Sequence, residues 1–339
     1  MIYSNEIVFR GHPDKVCDQI SDALLDAYLE EDKNSRCGIE VVGGKGLIVV
    51  TGEVTSTGKV DVEKTVKRVL KDIGYKNDYK IINNLGIQSA DIALGTNEKV
   101  MGAGDQGMMF GYATSETKEY LPKAMVILQK LSMAYDELRK KESDIFYPDG
   151  KAQITGYYDE NMHLKKIKTF LISYNNSEEK REYSDQKLID ISNKICKEEN
   201  VEVEEYIINP TGKFKIGGFE GDSGLTGRKI VVDSYHSFAK VGGGAFSGKD
   251  PSKVDRSAAY KARQIAVETI KQNNLKWCEV QLSYAIGLET PLAIYITSDK
   301  GNINVNDSLY EECKPRNIIR DLNLKNIKYE PLAMFGHFK

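Results

Sequence analysis

Three long helical patterns, each opening just after a glycine-rich or polar lead-in, constrain this chain more than any other feature. Residues 14–31 set Val16, Ile20, Leu24, Ala27 and Tyr28 on one face of a 3.6-residue period. Asp14 is suited to cap the start, and Gly11-His12-Pro13 leads in. Residues 121–140 follow the glycines of 102–107 and end in basic residues, as a helix C-terminus prefers. Residues 252–272 follow a glycine-rich run and carry Ala259, Ala262, Ala266 and Ile270 on one stripe, which calls for close packing on a sheet. Strand patterns fill the intervals at 47–55, 153–158, 166–173, 229–233, 280–284 and 292–297, with a polar turn at 159–161. Residues 238–241 read as a weak strand and 175–181 as an exposed loop. The prediction is an α+β chain of antiparallel hairpins with helices on one face, in a loose threefold repetition.

Length and charge narrow the function. The 339 residues suffice for two or three domains, and a net charge of -3 shows no basic excess for nucleic acid. No run is apolar enough to span a membrane, and residues 1–10 lack a secretory pattern. Five cysteines lie far apart without a Cys-x-x-Cys pair, and four histidines lack metal-ligand spacing. They read as reduced thiols of a cytoplasmic protein rather than a disulfide frame or a zinc site.

Four constellations carry chemistry. Residues 242–255, Gly-Gly-Gly-Ala-Phe-Ser-Gly-Lys-Asp-Pro-Ser-Lys-Val-Asp, combine glycines that let an anion approach the backbone, Lys249 and Lys253, and the carboxylates Asp250 and Asp255, which could recruit a hard cation. Positions 243–249 fit Gly-x-x-x-x-Gly-Lys, yet Asp250 stands where a P-loop needs Ser or Thr, and Pro251 is awkward for the helix. Gly11-His12-Pro13-Asp14-Lys15 places a histidine and an acid at a helix start, where an anion is favoured. Gly102-Ala103-Gly104-Asp105-Gln106-Gly107 reads as a tight loop for close ligand approach. Its spacing is not that of a dinucleotide fold. Residues 209–229 are glycine-dense, include Phe214, which could stack on a base, and end in Arg228-Lys229 at the start of a predicted strand. Taken singly, each also fits a capped helix, a turn or a hairpin with solvated charges.

Taken together, these segments resemble the S-adenosylmethionine synthetase (methionine adenosyltransferase) family. Gly-Glu-Val-Thr at 52–55, Gln-Ser-Ala-Asp-Ile at 88–92 and Ser-Tyr-Ala-Ile-Gly at 283–287 add to the match, which runs nearly the full length. The resemblance implies three similar sheet-plus-helix subdomains about a pseudo-threefold axis, near 1–90, 102–217 and 218–339, with a short gating loop at 91–101. It implies attack of the methionine sulfur on C5′ of ATP, then cleavage of the released triphosphate to pyrophosphate and phosphate.

The same resemblance assigns residues. His12 would assist departure of the triphosphate. Lys151, Arg228, Lys229 and Lys249 would hold the phosphates. Asp149, Lys213, Phe214, Asp222 and Ala245 would lie at the nucleotide. Glu53, Gln88, Asp105, Asp222 and Lys253 would meet methionine. Asp14 and Asp255 would bind two magnesium ions, while Glu40 and Ser247 would bind one potassium ion. The active sites would lie between two subunits of a homodimer, with dimers pairing into tetramers, and no nucleic acid or membrane is involved. Two departures stand out. Phe9-Arg10 replaces small and acidic residues, so Arg10 is expected to alter the charge beside the triphosphate, and the segment 88–102 is shorter than in typical bacterial relatives. Cys17 reads as a packed small residue.

Overall fold

In the computed structural model, which describes residues 1–87 and 102–339, strand β1 (Ile2–Val8) leads into helix α1 (Pro13–Glu31). The hairpin β2 (Arg36–Gly44) and β3 (Leu47–Thr55), helix α2 (Val62–Ile73) and strand β4 (Lys80–Gly86) follow. Beyond residue 102 come β5 (Gly107–Thr114), α3 (Lys123–Lys141), the long hairpin β6 (Phe146–Tyr158) and β7 (Leu164–Asn176), α4 (Arg181–Glu198) and β8 (Val203–Ile208). The last part holds β9 (Gly224–Leu225), a helical turn α5 (Ile230–Asp233), α6 (Val254–Asn273) and strands β10 (Trp277–Tyr284), β11 (Ala293–Ser298) and β12 (Gly301–Ile303). Three short helices close the chain: α7 (Asp307–Glu312), α8 (Pro315–Asp321) and α9 (Glu330–Ala333).

The described strands form three four-stranded sheets, ordered β1-β6-β7-β8, β12-β11-β10-β5 and β4-β3-β2-β9. Each sheet takes a strand from a distant part of the chain. β1 pairs with β6, β5 with β10 and β9 with β2, all antiparallel. Pairs β3–β4 and β7–β8 are parallel, with α2 and α4 as their crossovers. The alternation along β10 shows why a sheet forms with one face inward: Cys278, Val280, Leu282 and Tyr284 are buried, and the residues between them are not.

Each predicted long helix covers one sheet. Val16, Ile20 and Leu24 of α1 join Ile39, Val41 and Val50 in one core cluster. Ile127, Leu128 and Leu131 of α3 meet Ile7, Ile154 and Phe170 in a second. The alanine stripe of α6 meets Val280 and Leu282 in the third. The fit there is close: a Cβ on Gly111 of β5 would overlap the carbonyl of Ala262. The predicted turn at 159–161 joins β6 to β7, with Asp159 Oδ1 accepting the Asn161 and His163 amides at 2.9 and 3.0 Å.

Several expectations are corrected. Residues 229–233 form no strand: Gly227 turns the backbone at φ +81° and Ile230–Asp233 make a helical turn. Residues 238–241 are not a strand. Asn175 and Asn176 are buried at the end of β7 rather than exposed, and Arg181 opens α4. Arg10 is buried, donates to Gln19 Oε1 at 2.7 Å, and pairs with Asp72 and with Asp136. Its charge is therefore neutralised inside the fold instead of facing an anion. All five cysteines are free and buried, Cys17 among them. No helix among the described residues is long and apolar enough to cross a membrane.

Gly111→Val is expected to force α6 away from β5, lowering stability by about 3 kcal/mol or more. A thermal or urea melt measures it, and an unchanged midpoint would show that the helix can retreat freely.

Candidate active site

Backbone contacts bring the lead-in of α1 against β6. The amides of Phe9 and Gly11 donate to the carbonyls of Gly150 and Pro148 at 2.8 and 3.2 Å, and any Cβ on Gly11 would overlap Pro148. Pro13 opens the helix and His12 caps it, its Nδ1 accepting the Asp14 amide at 3.2 Å. The ring proton therefore resides on Nε2, which remains free to donate. Burial, followed by the positive charge of Lys229, lowers the His12 pKa to about 3, so the imidazole is neutral at ordinary pH. Lys151 and Asp222 also lie within electrostatic range of this ring.

Asp14 is the centre of this group. Its side chain is fully buried. Oδ1 accepts the Leu225 amide at 3.0 Å and faces Arg228 Nε at 3.1 Å, while Oδ2 takes Lys229 Nζ at 2.6 Å. Arg228 and Lys229 thus converge on one carboxylate. A strand would have sent them to opposite faces. Asp149 is buried beside them, with Oδ2 accepting the Gly218 amide at 2.8 Å, and burial raises its pKa to about 6. Asp222 is exposed and binds the Ser223 amide. Phe214 is half-buried. Its carbonyl accepts from the Asn175 side chain at 2.8 Å, and Asn175 in turn lies against Gly217 near Asp149. Lys213 is exposed next to it.

A second group forms on the 242–255 segment. Lys249 pairs with Asp255, and Lys253 Nζ lies 3.5 Å from Glu53 Oε1. A Cβ on Gly244 would overlap the Asp255 carboxylate, which explains one glycine of the run. The 102–107 loop covers this group, with Gly104 against Ser252 and Lys253 and Gly107 near Asp255. Asp105 sits exposed on that loop and binds the Gln106 amide. Ala245 touches Gly227, the neighbour of Arg228, so one segment reaches both groups. Gln88 and the gating loop 91–101 lie outside the described residues.

The P-loop reading fails on geometry. No strand precedes the segment, Lys249 lies in a bridge to Gly38, and the helix opens only at Val254. Asp250 is not placed for a cation either, because its oxygens accept the Cys37 and Ser252 amides at 2.8 and 2.9 Å.

Among the described residues no three acidic, histidine or cysteine side chains gather as a metal cage. Magnesium needs none, because one or two carboxylates plus substrate phosphates satisfy it. Asp14, paired with Arg228 and Lys229, and Asp255, paired with Lys249, fit that donor set. For a monovalent cation, Glu40 and Ser247 lie on two segments that meet at the Gly38–Lys249 bridge and the Ile39 amide–Gly248 carbonyl bond of 3.0 Å. The buried Ser247 hydroxyl has no hydrogen-bond partner, so the place suits an oxygen-seeking ion.

Sequence reasoning passed over the residues behind this site. Asp18 Oδ1 accepts the Gly227 amide at 2.8 Å, and its Oδ2 takes Lys15 Nζ at 3.0 Å. Lys15 also bonds Asp233 at the end of α5. Asp22 grips the Arg256 guanidinium at 2.6 and 2.7 Å. The available signal was Asp14, Asp18, Asp22 and Asp26 at four-residue spacing, too many acids for a face that must be buried.

The fold and this charged surface define a mixed α/β protein of three sheets with paired acids and cations arranged around a histidine. Family profiles for the N-terminal, central and C-terminal domains of S-adenosylmethionine synthetase match residues 1–94, 100–214 and 216–339. The chain is 41% identical to the S-adenosylmethionine synthase of Clostridium tetani, over 99% of this chain and 94% of that protein. It is 42% identical to the enzyme of that name from Prochlorococcus marinus strain MIT 9301, over 99% of this chain and 92% of the other. The chain belongs to the S-adenosylmethionine synthetase family and is a methionine adenosyltransferase.

Because burial holds the Asp149 pKa near 6, kcat/KM for ATP should fall as pH drops through about 6 and Asp149 takes up a proton. His12 stays neutral across that range and adds no step of its own. In Asp149→Asn the acid limb should disappear, and its persistence would assign the limb to another group.

Proposed function

We propose that this enzyme joins methionine to ATP by in-line attack of the sulfur on C5′, expels the triphosphate, and then cleaves it to pyrophosphate and phosphate. The observation that carries this reading is the convergence of His12, Arg228 and Lys229 on Asp14, with Lys151 in range. A neutral thioether is a weak nucleophile, so the protein must orient it and stabilise the leaving polyanion. His12, neutral with its proton on Nε2, donates to the oxygen on which charge develops. Arg228, Lys229, Lys151 and Lys249 hold the phosphates in place. Phe214 covers the adenine, with Lys213, Ala245 and Asp149 around the nucleoside. Glu53, Gln88, Lys253, Asp105 and Asp222 hold the methionine and the remaining polar ends. Magnesium at Asp14 and Asp255 would neutralise phosphate charge, and potassium at Glu40 and Ser247 would order the loop between them. We assign the complete site to a homodimer, in which each chain lends residues to the other's substrates, within three subdomains near 1–90, 102–217 and 218–339 set about a pseudo-threefold axis.

Incubation with ATP, methionine, magnesium and potassium should yield S-adenosylmethionine by mass, with pyrophosphate and phosphate as the other products. ADP instead would overturn the reaction. His12→Asn should lower kcat by about 10²–10³-fold with ATP binding retained, as expected of a group acting only at the transition state. Equal losses in kcat and in ATP binding would make His12 a binding residue. Asp14→Asn should shift the magnesium titration to higher concentration, and an unmoved titration would remove Asp14 as a ligand.

A further inference from the structure

Behind the His12 segment lies a cleft of about 780 Å³, within the range that holds small molecules. None of its lining residues is among those assigned above to ATP, methionine or metal. Its chemistry is nonetheless specific. Lys45, Lys76 and Lys215 reach it from three separate parts of the chain. None has a hydrogen-bond or ion-pair partner among the described residues. Glu220 is the one acid in the lining among the described residues, against three lysines, and it lies within electrostatic range of Tyr79. Arg139 also lines the cleft but is already paired with Asp136. A protein of net charge -3 thus carries a local concentration of unpaired cations. The walls between them are aromatic, with Tyr75 and Tyr147 half-buried, and the Asn77 and Asn175 side chains add polar contacts.

We infer that this cleft is a second ligand site, separate from the active site, for a planar aromatic anion of nucleotide size. Tyr75 and Tyr147 supply faces for the ring, and Lys45, Lys76 and Lys215 supply charge for the phosphate. The occupant would also be in touch with the catalytic residues. Tyr75 donates its hydroxyl to the Gly11 carbonyl, and its ring fills the space a Cβ on Gly218 would need. Gly218 in turn holds Asp149. Pro148, another wall residue, backs Gly11 directly. A ligand resting on Tyr75 and Pro148 therefore bears on the two segments that carry His12 and Asp149.

The test is photolabelling of the full-length enzyme with 8-azidoadenosine 5′-monophosphate, followed by peptide mapping. Label is expected on peptides bearing Tyr75 or Tyr147. In the double variant Lys76→Glu with Lys215→Glu that label should fall about tenfold or more, since two phosphate-facing cations are reversed. The variant's KM for ATP should remain within about twofold of the parent. Unlabelled adenosine monophosphate should protect better than inorganic pyrophosphate or adenosine alone. Label that persists in the double variant, or that maps only to the peptide bearing Phe214, overturns the inference. So does equal protection by pyrophosphate, which would reduce the cleft to an anion patch. A tenfold rise in KM for ATP would fold the cleft into the substrate site and also overturn it. The labelling result stands whether or not the His12 variant behaves as expected, so the two readings fail separately.

Discussion

The aspartate stripe of α1 is the interaction on which the rest of the structure depends. Asp14, Asp18, Asp22 and Asp26 recur every four residues, so they line one side of the helix over about 18 Å. Each accepts a backbone amide from a remote segment. Asp14 takes Leu225, Asp18 takes Gly227, Asp22 takes Gly248 and Asp26 takes Tyr329. Three distant stretches of the second half, at 225–227, 248 and 329, are thereby fixed along one N-terminal helix. Burial pushes the Asp22 pKa up and brings that of Asp26 to about 6, which measures how far these carboxyls are removed from water. Such groups are tolerated because amides and cations meet them. Burial alone would lower the pKa of Lys15, but Asp18 and Asp233 raise it, and Arg256 sits both on Asp22 and over the Tyr329 ring. Removing one partner would strand a buried charge at a cost of about 3–5 kcal/mol.

The site inherits its order from that stripe. Asp14 is at once its first member and the residue that gathers Arg228 and Lys229. Their placement needs the next two members as well. Asp18 fixes Gly227 at the turn before them, and Lys15 fixes Asp233 at the end of the helical turn after them. Asp22 fixes Gly248 immediately before Lys249. The cations of the surface are therefore held at both flanks by a helix whose other face packs on a sheet, so the scaffold and the charged groups are not independent parts.

Much of this was legible from the chain. The alternation in β6, β7, β10 and β11 and the periodicity of α1, α3 and α6 are local signals, and the structure follows them. Gly11-His12-Pro13-Asp14 could be read as a helix start because capping depends on neighbours in sequence. The rest depended on partners far away. Ile230-Val231-Val232 is β-branched and reads as a strand, yet Gly227 and the anchor on Asp233 make it a helical turn. Arg10 reads as a charge beside an anion, yet Asp72 and Asp136, distant in sequence, draw it inward. Helix α2 was overlooked although Asp61 caps it and Gly74 ends it. Asp250 showed a carboxylate but not its two amide partners. Gln88 and residues 91–101 lie outside the described residues.

The internal pairing of the surface charges has a consequence for how a nucleotide would enter. Asp14 already holds Arg228 and Lys229, Asp255 holds Lys249, and Glu53 holds Lys253. These cations are not waiting bare for a polyanion. With the phosphates bound as proposed, loading would be an ion exchange: phosphate oxygens would take the lysines and the arginine, and the carboxylates so released would need a new counter-charge. A divalent cation held by Asp14 and Asp255 would supply that charge. Metal-free nucleotide would leave Asp14 and Asp255 facing phosphate without compensation. On that reading, selection for the metal complex would follow from charge conservation within the surface, with no dedicated metal cage required.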